Sequence, residues 1–150
     1  MTAVTMLVEP TMNRLDGRLA TFKEWLVENE PGCVCTARKM AESGFFRCGG
    51  DEEPDLTRCF VCHKEMEGWE AEDNPMEARY HTAKCPLAKL GKPASQLTVE
   101  DMLKLINFQQ TERVRALSSD MIEEFKTDAT EVRKQLEALA KKPTRKRRAR

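Results

Sequence analysis

Four side chains constrain this chain more than any others: Cys59 and Cys62 in the knuckle Cys59-Phe60-Val61-Cys62, and His81 and Cys85 in His81-Thr82-Ala83-Lys84-Cys85. The knuckle reads as the end of a strand, and the second pair, at i and i+4, reads as one face of a helical turn. Three thiolates and one imidazole make a closed tetrahedral set for a single structural Zn2+, with no position left for a reactive water. His63, the other histidine, adjoins Cys62 and is less suited to the same tetrahedron. Cys33, Cys35 and Cys48 read as small buried hydrophobes, so no second four-donor set is available.

A metal staple suits the composition. Aromatic residues make up 6% and charged residues 33% of 150 residues, against a charged share of ~25% in ordinary globular domains. With little material for a core, zinc or a partner must add stability. The opening residues show no export signal, and six cysteines beside a metal cluster fit the cytosol or nucleus better than a secreted disulfide scaffold. Apolar runs are a few residues long, so no membrane association is expected. Charge is balanced at 25 cations and 25 acids, but residues 141–150 carry seven cations and no acid. An acidic body is therefore joined to a basic end.

The expected order is an N-terminal arm over 1–15, a compact α+β zinc domain over 16–90, a linker over 91–97, one long amphipathic helix over 98–141 and a basic tail over 142–150. In the zinc domain, short helices surround a small antiparallel sheet. Helices are expected at Arg18 to Leu26, at Thr36 to Ser43 with Thr36 as N-cap, and from Asn74-Pro75 onward, with a hairpin of Leu56 to Val61 and Lys64 to Trp69.

Thr98 is the expected N-cap of the last helix, with Glu100 and Asp101 in its first turn, and no Pro or Gly interrupts it. At ~1.5 Å per residue it spans roughly 65 Å. Val99, Leu103, Ile106, Val114, Leu117, Met121, Phe125, Val132, Leu136 and Leu139, with Met102, form a narrow apolar stripe. Such a stripe is expected to pack against partner helices, since a domain this small cannot cover ten turns of helix. Homodimerisation of the free chain is a further expectation.

Between Glu65 and Glu77 stand six acids and no base, surrounding Trp69. They focus negative potential on an apolar shelf of Met66 and Trp69, which suits a peptide entering by a free amino terminus. The competing reading makes Trp69 a core residue and the acids a solvated loop. Trp25 reads as core.

The residues around the knuckle resemble the baculoviral inhibitor-of-apoptosis repeat (BIR). Arg18-x3-Phe22-x2-Trp25 is similar to its opening helix, Met40-Ala41-Glu42-Ser43-Gly44-Phe45 to its "MAEAGF" element, and Cys59 to Cys62 through Glu67-Gly68-Trp69 to Asp73-Asn74-Pro75 to its "CxxC…GWxxxDDP" signature. This covers about residues 16–90, and the uninterrupted C-terminal helix resembles single-repeat members that travel on mitotic chromosomes. The family's zinc histidine falls on Ala78 or Arg79 here, and His81 aligns with a histidine that such members use to read phosphothreonine. His81 is assigned to zinc.

The resemblance implies a non-enzymatic adaptor of the chromosomal passenger complex. Lys64, Met66, Glu67, Trp69 and Asp73 would take a histone tail beginning Ala-Arg-Thr-Lys. The long helix would bundle with borealin-like and inner-centromere-protein-like helices and so bring an Aurora-type kinase indirectly. The implied locations are the nucleus, centromeres, spindle midzone, midbody and cytoplasm. The alternative is an apoptosis inhibitor acting on caspases or their activators, taking apoptosis-regulator peptides in the same groove. No nucleophile–base pair or phosphate loop supports an enzyme. Residues 16–90, with ten cations against fifteen acids, do not suit DNA.

Overall fold

The computed structural model describes residues 10–141. A 3-10 turn at Pro10–Asn13 leads into α1 (Leu15–Leu19), followed by α2 (Ala37–Glu42), β1 (Phe45–Arg47), β2 (Thr57–Cys59), β3 (Glu65–Met66), α3 (Pro86–Leu90) and α4 (Val99–Ala140). Further 3-10 turns lie at Ala78–Tyr80 and Ala94–Gln96. The fold is thus the expected small α+β domain with one long helix.

The sheet is antiparallel in the order β1-β2-β3, with Phe45 opposite Cys59 and Thr57 opposite Met66. Alternation along β2 points Thr57 and Cys59 inward, while Arg58 on the other face pairs with Glu65 of β3. Phe45, Phe60, Met40 and Cys35 form the centre of the core, with Phe22 and Trp25 in edge-to-face contact at 5.1 Å. Gly44, at φ +93°, lets the chain pass from α2 into β1, and a Cβ there would stand 2.3 Å from Leu87 Cδ2.

Two helix expectations are corrected. The expected helix from Arg18 to Leu26 is only Leu15–Leu19, because the chain then turns to bring Phe22 and Trp25 together, with Glu24 at φ +53° and Trp25 Nε1 donating to Cys35 O at 2.8 Å. Met12 and Leu15, assigned to the arm, pack against the core. Asn74-Pro75 opens a turn instead of a helix: Asn74 Oδ1 accepts from Met76 N, and Glu77 is already extended. The helix begun by a proline is instead α3, at Pro86, and it was not anticipated, nor was strand β1. α2 begins at its expected cap, with Lys39 N donating to Thr36 Oγ1.

α4 runs 42 residues from a capping box, Thr98 Oγ1 accepting from Asp101 N while Asp101 Oδ2 accepts from Thr98 N. Its first three turns lie on the zinc domain through Leu105, Gln109, Met102 and Phe108. Gln109 Nε2 donates to Phe60 O at 2.7 Å, fastening the helix to the knuckle. From Leu117 to Ala140 every residue is exposed.

Candidate metal centre and peptide groove

Cys59 ends β2, and the knuckle returns through hydrogen bonds from His63 N to Cys59 O (2.9 Å) and from Cys59 N to Lys64 O (3.0 Å). Only a left-handed residue closes this turn, and His63 takes it at φ +58°. On the facing segment, His81 is extended at φ −111°, ψ 170°, and Cys85 precedes Pro86 of α3. The expected helical turn for this pair is therefore corrected. Tyr80 must turn inward to lie 4.8 Å from Trp69, and the backbone straightens at His81 to present its ring to the thiols.

The convergence itself matches expectation. One donor atom from each of Cys59, Cys62, His81 and Cys85 lies within 4.8 Å of the others, in a largely buried cluster. Three thiols this close cannot all ionise without a cation: burial pushes the Cys59 thiol well up, while hydrogen bonds from Cys59 and Cys85 hold Cys62 down as the thiolate. Zn2+ fits the donor types and number, and it supplies the positive charge that lets all three ionise. The four donors form a site for one structural zinc. His63 is not among the converging donors; it is buried with neither ring nitrogen hydrogen-bonded among the described residues. Accordingly, His81→Ala should lower zinc affinity by more than the ~10–100-fold typical of losing a supporting residue. His63→Ala should leave it near the parent value. Competition with a chromophoric chelator measures both, and equal loss in the two variants would contradict the assignment.

The expected peptide residues are placed less uniformly. Trp69 is 7% exposed, packed 5.3 Å from Phe45, with Nε1 donating to Thr57 Oγ1. It is a core residue rather than the open shelf the sequence suggested. Asp73 is engaged at both oxygens: Oδ2 accepts from Glu70 N, Oδ1 from the Tyr80 hydroxyl, and Arg79 lies 3.8 Å away. Burial first, and Asp73 second, push the Tyr80 phenol up to about 12. Lys64 Nζ donates to Arg79 O and His81 O, tying β3 to the zinc-ligand segment.

An open acidic site lies along β3. Glu53, Leu56, Glu65, Met66 and Glu67 line a cavity of about 480 Å3, with Met66 and Leu56 as the apolar part. Sequence reasoning found Met66 and Glu67 but missed Glu53 and Leu56, which the β1–β2 connection brings beside them. A smaller cavity of about 260 Å3 is bounded by Val27, Glu30, Trp69, Glu70, Ala71 and Glu72.

On α4, the stripe divides. Met102 and the unanticipated Leu105 face the zinc domain, whereas Val99 (80% exposed), Leu103, Val114, Leu117, Met121, Phe125, Val132, Leu136 and Leu139 stand in the open, with Ile106 half-buried. Ile122 joins the exposed row. No helix of the described residues is long and apolar enough to cross a membrane.

Comparison with known proteins agrees with this architecture. The family profile "BIR: Inhibitor of Apoptosis domain" matches residues 18–89. The chain is similar to Baculoviral IAP repeat-containing protein 5 of Cavia porcellus, 40% identical over 124 residues, covering 82% of this chain and 86% of that protein. It is likewise 40% identical to the protein of the same name in Mus musculus, over 82% of this chain and 87% of the relative. Similarity to Baculoviral IAP repeat-containing protein 5.2-B of Xenopus laevis is 41% over 81% of this chain and 77% of that protein. The chain therefore belongs to the baculoviral inhibitor-of-apoptosis repeat family, among the relatives of protein 5, survivin.

Proposed function

We propose that this chain is a non-enzymatic adaptor of the chromosomal passenger complex. Its zinc domain takes a histone amino-terminal tail beginning Ala-Arg-Thr-Lys, and α4 bundles with borealin-like and inner-centromere-protein-like helices. An Aurora-type kinase is thereby carried to centromeres and later to the spindle midzone and midbody. The observation that carries this reading is the exposed row from Val114 to Leu139, because a row of large apolar side chains on a helix leaving its own domain calls for helices from elsewhere. An apoptosis inhibitor acting on caspases or their activators would use the acidic cavity and leave the helix without a task.

The cavity supports a cationic peptide. Glu53, Glu65 and Glu67 surround Met66 and Leu56, so an ammonium or guanidinium and its apolar stem can be held together. A charge-assisted contact there is worth about 1.5–3 kcal/mol, so its loss weakens binding by roughly tenfold or more. Glu67→Gln and acetylation of the peptide amino group are each expected to do this. Trp69→Ala and Asp73→Ala would disturb the core instead. With His81 among the zinc donors, phosphorylating the peptide threonine should add little. Isothermal titration of these peptides beside an Ala-Val-Pro peptide tests the reading. Preference for Ala-Val-Pro favours the apoptotic role, and indifference to acetylation removes the groove.

A further inference from the structure

Arg18 is wholly buried, with no carboxylate in salt-bridge contact among the described residues. Its Nε donates to Ala41 O at 2.9 Å and its Nη1 to Met12 O at 2.7 Å, while Nη2 has no hydrogen-bond partner there. The guanidinium carbon lies 4.4 Å from the centroid of the Phe60 ring. A buried cation without an anion is strongly unfavourable, and carbonyl contacts and one aromatic face do not supply a countercharge. Burial lowers the guanidinium to about 10. Arg18 is therefore still a cation at neutral pH.

Phe60 sits inside the knuckle, between Cys59 and Cys62. Three thiolates and one Zn2+ leave that buried centre with an excess negative charge. We propose that Arg18 is the countercharge of the zinc centre, its guanidinium held over Phe60 so that cation and anionic centre are buried together. Arg18 is then a positioning residue: it touches no metal, but it favours the fully ionised three-thiolate state and couples the docking of α1 to metal loading. This inference rests on the three-cysteine site and is independent of the adaptor role.

The test compares Arg18→Met and Arg18→Lys in the full chain, and repeats Arg18→Met in a Cys85→His background, where two thiolates and zinc make a neutral centre. Zinc affinity is read by competition with a chromophoric chelator, and thiolate reactivity by the rate of zinc release on adding an alkylating reagent. Arg18→Met should weaken zinc by about 10–100-fold, the range for residues that support ligands, and should speed alkylation, because a zinc-bound thiolate is already ionised and its intrinsic nucleophilicity rises as nearby positive charge is removed. Arg18→Lys keeps the charge and should stay within a few-fold of the parent, although it loses the fork. In the Cys85→His background the penalty of Arg18→Met should largely vanish. If Arg18→Met fails to fold in the parent, the proposal requires that it fold in the neutral-centre background. Equal losses for Lys and Met, an undiminished penalty beside Cys85→His, or failure to fold in both backgrounds would reduce Arg18 to a packing element and overturn the proposal.

Discussion

Cys59→Ala and Cys85→Ala are each expected to unfold residues 16–90, and a strong chelator should do the same to the unaltered chain. The sheet that organises this domain has strands of three, three and two residues. Cys59 is both the last residue of β2 and a zinc donor, so loss of the metal removes the cross-link between the hairpin and the Tyr80–Cys85 segment. Structural zinc contributes on the order of 10–16 kcal/mol at neutral pH, while a whole domain is stable by only ~5–15 kcal/mol. The metal term is as large as the total, so partial softening is not the expected outcome. Elemental analysis should give one zinc per chain, and circular dichroism of the variants should keep the α4 signal while losing the near-ultraviolet bands of Trp25 and Trp69. A well-folded, metal-free sample would contradict this.

The second large effect belongs to α4. Leu117→Glu with Met121→Glu places two carboxylates, one turn apart, in the exposed apolar row. Neither side chain touches the zinc domain, which holds the helix through Leu105 and Gln109, so the isolated chain should keep its fold and its zinc. In a bundle seam, burying unpaired charge costs several kcal/mol. At about 1.4 kcal/mol per tenfold, the two together should weaken partner-helix binding by roughly a thousandfold. Binding of the histone-type peptide to the cavity should be unchanged.

The zinc donors were legible because ligand identity and spacing are local facts, and Cys59, Cys62, His81 and Cys85 do converge. The backbone carrying them was not. The i, i+4 spacing of His81 and Cys85 looks helical, but ring packing between Tyr80 and Trp69 forces an extended His81. The same limit explains Arg18, Phe22 and Trp25, whose helical spacing is overridden by the edge-to-face pair and the Trp25 bond to Cys35 O. Trp69 misled for a different reason: its acidic neighbours suggested exposure, yet its Nε1 bond to Thr57 Oγ1 and its packing on Phe45 hold it inward. α4 and its cap were plain, since a capping box followed by 42 residues free of Pro and Gly admits little else. Its docking face was hidden, because Leu105 and Gln109 do not stand out from a charged sequence until the knuckle carbonyl of Phe60 appears opposite them. Glu53 and Leu56 reach the cavity from the connection between β1 and β2, which no local pattern reveals.

The central claim, that this chain joins a chromatin-reading zinc domain to a partner-binding helix, is tested most directly by a pull-down from mitotic extract. The bait is the intact chain, compared with the Leu117→Glu, Met121→Glu variant. The intact chain should retrieve the borealin-like and inner-centromere-protein-like proteins together with an Aurora-type kinase. The variant should lose all three while retaining histone. Recovery of the same partners by both baits, or retrieval of caspases in place of the kinase, would contradict the account.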